Sequence, residues 1–155
     1  MKLRESSSMA VKIESQRDVY ISGPLFTPTE RVYLEQIDNL CQTIGLSAYL
    51  PHRDAGFGPA RGKQAEHYFS QDVLMLRNTR CVVAVVNGAD IDSGTAWEIG
   101  FAYSSGKYLI GIREDIRDIE INPMLVCSLN MTHSIEELKN FLLGWKENQK
   151  ETSKK

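Results

Sequence analysis

Apolar positions along the chain follow two periods that take turns. Val19-Tyr20-Ile21 is a short apolar run ended by Gly23-Pro24, which predicts a strand. Thr27-Pro28-Thr29-Glu30 then supplies an N-cap residue, a proline at the first helical position and a glutamate three residues after the cap. Behind it Tyr33, Ile37, Leu40, Cys41 and Ile44 recur at helical spacing, and Gly45 stands where a helix stops. Leu46 to Leu50 predicts a second strand, closed by Pro51, and Asp54 to Gly62 is a long glycine-rich loop. A helix is expected from about Gln64 to Asn78. Cys81 to Val86 is an unbroken apolar run, the mark of a strand buried on both faces. A further helix is expected from Ser93 or Gly94 to about Ser105, and a fourth strand from Tyr108 to Ile112. Arg113 to Ile121 is charged and reads as loop, while Met124 to Leu129 fits a short helix and a short strand equally. Ser134-Ile-Glu-Glu137 is a second capping box, opening a last helix to about Trp145.

Strands that alternate with helices pair in parallel through crossovers. The expected fold is therefore α/β: a flavodoxin-like or Rossmann-like doubly wound parallel sheet of about five strands with flanking helices. Polar residues 1–16, with Ser6-Ser7-Ser8, read as a flexible leader. Residues 17–148 form the domain, and 149–155 a polar tail. Ligands of such sheets sit beyond the carboxyl ends of the strands. That points to Ser22 to Phe26, Asn87 to Thr95 and Arg113 to Met124.

Composition narrows the partners. Apolar residues make up 42% and charged residues 25% of 155 residues, as in a soluble globular domain that needs no staples. The net charge of −2 argues against nucleic acid. No apolar run approaches the ~20 residues of a membrane span, and none follows the N-terminus as a signal would. Cys41, Cys81 and Cys127 form no CxxC, and His52, His67 and His133 have no metal-ligand spacing. Reduced thiols and a cytoplasmic location are the expectation.

The unusual segment is Asp90-Ile-Asp92-Ser-Gly-Thr-Ala-Trp-Glu98-Ile-Gly-Phe-Ala102. Glu98 lies in the first turns of the expected helix and shares a face with Gly94 and Ala102, so it projects over a surface without bulk. A helix N-terminus favours an ionised carboxylate, which can serve as a nucleophile. The plain alternative is a carboxylate that complements the helix dipole on a solvated face. Asp72 falls one turn from Tyr68 and Phe69 and one turn from Met75 and Leu76. A carboxyl on a partly apolar face holds its proton toward neutrality and can act as a general acid; the alternative is an exposed aspartate at a helix edge. A charged and a protonated carboxyl together are the pairing used to cleave glycosidic bonds. The glycines of the Asp54 to Lys63 loop fit no phosphate-binding motif, so a substrate flap or a plain loop is expected there.

Val19-Tyr20-Ile-Ser-Gly-Pro-Leu-Phe26, Asp72, Asp92-Ser-Gly-Thr-Ala-Trp-Glu98-Ile-Gly-Phe-Ala, Gly106-Lys-Tyr and Asn122-Pro-Met124 together resemble the nucleoside 2-deoxyribosyltransferase family over about residues 17 to 145. The resemblance implies that Glu98 is the nucleophile, attacking C1′ of a 2′-deoxynucleoside to form a covalent deoxyribosyl ester. It implies that Asp72 and Asp92 contact the nucleobase and help protonate it. Tyr20 would lie near the nucleophile and sugar, with Gly23 and Gly94 lining the substrate site and Phe26 lining the base pocket. Asn122, with Met124 beside it, would reach a neighbouring subunit's site and hold the sugar hydroxyl. No metal or organic cofactor is implied. The implied partners are a 2′-deoxynucleoside and a free nucleobase, in a homodimer or homohexamer with sites at subunit interfaces. A sister group hydrolyses nucleoside 5′-monophosphates and holds the phosphate with serines where this chain has Pro24 and Asp92. A carboxylate at a phosphate site is repulsive, which favours a nucleoside donor. The competing readings are an N-glycoside hydrolase of (deoxy)nucleosides or their 5′-monophosphates using the same Glu98, and a non-catalytic nucleotide-binding domain.

Overall fold

Alternation along β1 (Val19–Ser22) divides the protein into two faces. In a strand, successive side chains point to opposite sides of the sheet. Val19 and Ile21 pack with Leu34, Ile37 and Cys41 of α1 (Pro28–Thr43) and with Leu138, Leu142 and Trp145 of α6 (Ile135–Thr152). Tyr20 points the other way, into a cluster with Met75 and Leu76 of α3 (Lys63–Asn78) and Ala102 of α4 (Ser93–Ser104). The same division runs through β3 (Cys81–Val85): Cys81, Val83 and Val85 join the first cluster and Val82 the second. A strand covered on both sides has no polar face to show, which is why its sequence does not alternate.

The computed structural model describes residues 16–59 and 61–152. Residues 1–15 of the leader and 153–155 of the tail lie outside the described residues. Among those described, the strands form one sheet in the order β2-β1-β3-β4-β5, with β2 Ala48–Tyr49, β4 Tyr108–Ile112 and β5 Asn130–Thr132. Every pairing is parallel. This is the doubly wound α/β sheet that the alternation of periods predicts. The chain leaves β1 for one neighbour, β2, and later returns to its other side as β3, so the crevice for ligands opens at the carboxyl ends of β1 and β3. No helix among the described residues is long and apolar enough to cross a membrane.

Three local expectations are revised, and the stop of the first helix at Gly45 holds. The second strand is confined to Ala48–Tyr49, because the chain turns at Leu50 into a one-turn helix, α2 (Pro51–Asp54). Pro51 begins that turn and Asp54 holds it, its Oδ2 accepting the Leu50 N–H at 2.8 Å. The ambiguous stretch Met124 to Leu129 takes the helical option, in the short helix α5 (Pro123–Val126), and the strand, β5, begins only after it at Asn130. The last helix continues past Trp145 to Thr152, a polar extension that apolar periodicity cannot register. The first helix ends at Thr43, with Ile44 as its cap.

Candidate active site

Ser22 is the last residue of β1 and Glu98 lies in the second turn of α4, which packs over that end of the strand. Tyr20 and Ser22 share the α4-facing side, so two hydroxyls from one strand meet one carboxylate. Tyr20 Oη donates to Glu98 Oε1 at 2.6 Å, and Ser22 Oγ donates to Glu98 Oε2. Tyr20 is fully buried and its ring stacks on that of Tyr49, its partner on β2, at 5.4 Å between centroids. Tyr49 Oη donates in turn to Asp72 Oδ1 at 3.0 Å. The two carboxyls are thus held from below by a stacked tyrosine pair whose hydroxyls serve opposite sides.

Asp92 is the N-cap of α4. Its Oδ2 accepts the Thr95 N–H at 2.9 Å and the Thr95 hydroxyl at 3.2 Å, while its Oδ1 makes no hydrogen bond among the described residues. Two glycines of the lining sit where neighbouring atoms crowd a side chain. A Cβ on Gly23 would lie 2.7 Å from Leu34 Cδ2 and 3.1 Å from Val85 Cβ, closer than the packing allows. A Cβ on Gly94 would lie 3.1 Å from Asp92 Oδ2.

Burial dominates the electrostatics. It pushes Glu98 up to about 7, against the lowering effect of the Ser22 and Tyr20 hydrogen bonds and with a smaller push from the charges of Asp72 and Asp92. Burial also raises Asp72 to about 6, opposed by the Tyr49 hydrogen bond and by His67. Burial thus raises Asp72, as its partly apolar helix face predicts, and at Glu98 it works against the ionised form that a helix N-terminus favours. Desolvation and two neighbouring acids outweigh a dipole effect of about 0.3–1 kcal/mol. Glu98 holds its proton to a higher pH than Asp72, so a single proton shared by the pair rests mainly on Glu98. Tyr20 is held well above its ordinary value by burial and by Glu98, so it stays a donor.

These groups line a cleft of about 220 Å³. Its floor is acidic: Glu98, Asp72, Asp92 and the hydroxyl-bearing Thr95. Its walls are apolar and aromatic, with Leu25 and Phe26 from the segment after β1, Phe57 from the loop after α2 and Tyr68 from α3. Phe26 is 71% exposed, a large ring open to solvent at the rim. Glu98, Asp72, Asp92, Gly23, Gly94 and Phe26 therefore converge, with Tyr20 behind them. Asn122 and Met124 do not: both lie exposed on α5, outside this cleft, with Asn122 Oδ1 capping the Met124 N–H at 2.9 Å.

Tyr49, Phe57 and Tyr68 join the site without a role of their own in the sequence reading, and Ser22 and Thr95 fall within the strand-end segments it points to. Ser22 was findable, since period-two alternation puts it on the face of Tyr20. Tyr49 was not, because its place depends on which strand pairs with β1.

The fold places a cleft lined by three carboxyls at the switch point of a parallel α/β sheet. The nucleoside 2-deoxyribosyltransferase family model matches residues 19–152, and the chain belongs to that family of enzymes. No curated protein matches the chain. Among solved structures, it is similar to a 2-deoxyribosyltransferase from the psychrotolerant bacterium Bacillus psychrosaccharolyticus, at 19% identity and a TM-score of 0.70, covering 79% of this chain and 90% of that one. A 2-deoxyribosyltransferase from Leishmania mexicana follows at 21% identity and TM-score 0.66, covering 83% and 97%. A conserved protein from Enterococcus faecalis V583 is 25% identical with a TM-score of 0.63, covering 81% and 96%.

Proposed function

We propose that this enzyme moves a 2-deoxyribosyl group from one nucleobase to another through an ester on Glu98. A Glu98 carboxylate oxygen attacks C1′ of a 2′-deoxynucleoside. The C1′–N bond breaks and its electron pair leaves with the base, which takes the proton of the Asp72 carboxyl. An acceptor base then attacks C1′ through nitrogen, the ester bond breaks, Glu98 recovers its electron pair and the acceptor's proton goes to Asp72. Asp92 offers its Oδ1 to the base. Tyr20 and Ser22 fix the nucleophile's orientation, which is the entropic part of the catalysis.

One observation carries this reading: the Glu98 carboxylate is held by two hydroxyls on the floor of a cleft that also presents Asp72, a carboxyl that keeps its proton to about 6. Three acids on the floor, with no lysine or arginine among the described residues of the lining, support a nucleoside in preference to a nucleotide. The aromatic walls suit a flat heterocycle. Exposed Asn122 and Met124 support a homodimer or homohexamer in which α5 serves a neighbour's cleft, which sedimentation would test by a mass above the monomer. Unbridged Cys41, Cys81 and Cys127 support a cytoplasmic location, which fractionation would test.

The deciding experiment incubates the protein with deoxyinosine, with and without adenine, and follows products by chromatography. Deoxyadenosine formed only with adenine supports transfer. Hypoxanthine released without an acceptor marks a hydrolase, and no turnover marks a binding domain. Glu98→Ala should slow exchange at least about a hundredfold, about 3 kcal/mol; near-normal turnover would remove Glu98 from the chemistry.

A further inference from the structure

We propose that Arg31 is a specificity-determining positioning residue that ties two apolar wall segments of the cleft together and so sets the width of the slot for the base. The proposal rests on the reading of the cleft as a nucleoside site. Arg31 lies in the first turn of α1, just behind the Thr27–Glu30 capping box, in which the Thr27 N–H donates to Glu30 Oε2 at 2.7 Å. From this fixed turn its side chain reaches both segments. Nη1 donates to the Leu25 carbonyl oxygen at 2.8 Å. The guanidinium carbon stands 4.4 Å from the centroid of the Phe57 ring, over its face. Leu25, Phe26 and Phe57 line the cleft and Arg31 does not, so Arg31 acts through them.

The Phe57 side has a second anchor on the same helix. His52 meets the Phe57 ring edge-on at 6.4 Å, and its Nε2 lies 3.1 Å from Glu35 Oε1, one turn after Arg31. His52 is buried on α2, and the adjoining Pro51 lines the cleft. The loop that carries Phe57 has glycines on either side of it, and Gly56 adopts a φ of 99° that other residues avoid. Backbone this permissive does not position an aromatic wall by itself. The cation over the ring face and the carbonyl bond supply that position together. An arginine suits both tasks at once, because its planar fork can donate at one edge while stacking on a ring.

The test separates this role from the chemistry. In a Glu98→Ala background, which stops turnover, dissociation constants of thymidine, deoxycytidine, deoxyadenosine and deoxyguanosine are measured by calorimetry with Arg31 native, R31K and R31M. R31M should weaken the best-bound nucleoside about tenfold, the combined size expected of a partly exposed cation–π contact and a hydrogen bond, and shrink the purine-to-pyrimidine ratio at least about threefold. R31K should recover part of both. F57L should mimic R31M, and the double variant should add little further loss, since both act on one contact. With Glu98 intact, R31M should raise KM and leave kcat within about threefold. Ratios within twofold of the native protein in R31M overturn the proposal, as does R31K indistinguishable from R31M. Should the intact enzyme turn over no deoxynucleoside while these affinities still shift as described, the transfer reading fails and the clamp stands. A protein that binds none of the four nucleosides overturns both.

Discussion

Neighbouring residues of β1 live under opposite rules. Val19 and Ile21 face α1 and α6, where every partner is apolar and the only requirement is filled volume. Tyr20 and Ser22 face α4, where both hydroxyls are committed to a single carboxylate. The first face stabilises the fold. The second holds a group whose charge the fold disfavours, because burial raises Glu98 to about 7. One short strand thus joins a source of stability to a site that consumes some of it.

That contrast can be broken at its strongest point by Ile21→Ala. Ile21 is fully buried, so the cavity should cost about 2–5 kcal/mol of stability, read by denaturant unfolding. Base exchange per folded molecule should stay within about threefold, and a collapse of kcat in fully folded protein would show that the faces are not separable. Asp72→Asn tests the polar side. General acid catalysis contributes about a hundredfold or more, so exchange of poorly leaving bases should fall by about that factor, about 3 kcal/mol. The native profile of kcat/KM against pH should peak between about 6 and about 7, where Glu98 is partly ionised and Asp72 partly protonated. Asp72→Asn should lose the alkaline limb; an unchanged limb would assign it to another group.

Glu98→Gln probes the cost of the buried charge. Unfolded, Glu98 ionises near 4.5; folded, near 7. Between these values the native state holds the extra proton, so stability falls as pH rises through that window and stays lowered above it. Removing the charge should stabilise the protein on the order of 2 kcal/mol at pH 8 and have little effect at pH 4, as read by Tm. The same shift in Tm at both pH values would contradict the cost of burial. The smallest effect is expected of Ser22→Ala. Losing a hydrogen bond to the anion raises Glu98 further above Asp72, so the alkaline limb should move upward by a few tenths to one pH unit and the peak rate should fall, with little change in stability. A limb that stays put would reduce Ser22 to packing.

Much of the fold and part of the site could be read along the chain, for local reasons. The Thr27 and Ser134 capping boxes, the helical spacing behind them and the apolar run at Cys81 each report on contacts within a few residues. Asp72 and Glu98 stood out because carboxylates among apolar or small neighbours violate the ordinary pattern. The revisions came where local signals are weak. Pro51 could close a strand or open a helix, and only the hydrogen bond from Leu50 to Asp54 chose the helix. The segment after Asn122 holds a helix and a strand too short for either period to declare itself.

By itself, the sequence determined the order of elements, the parallel α/β architecture and the identity of the acids at the strand ends, because periodicity and capping act over a few residues. Only the tertiary structure decided that Tyr49 stacks on Tyr20, that Ser22 and Tyr20 close on the same carboxylate and that Arg31 bridges two wall segments. Those contacts depend on which strands become neighbours. The same assembly removed water from Glu98 and so reversed the charge preference that its helix position alone would give.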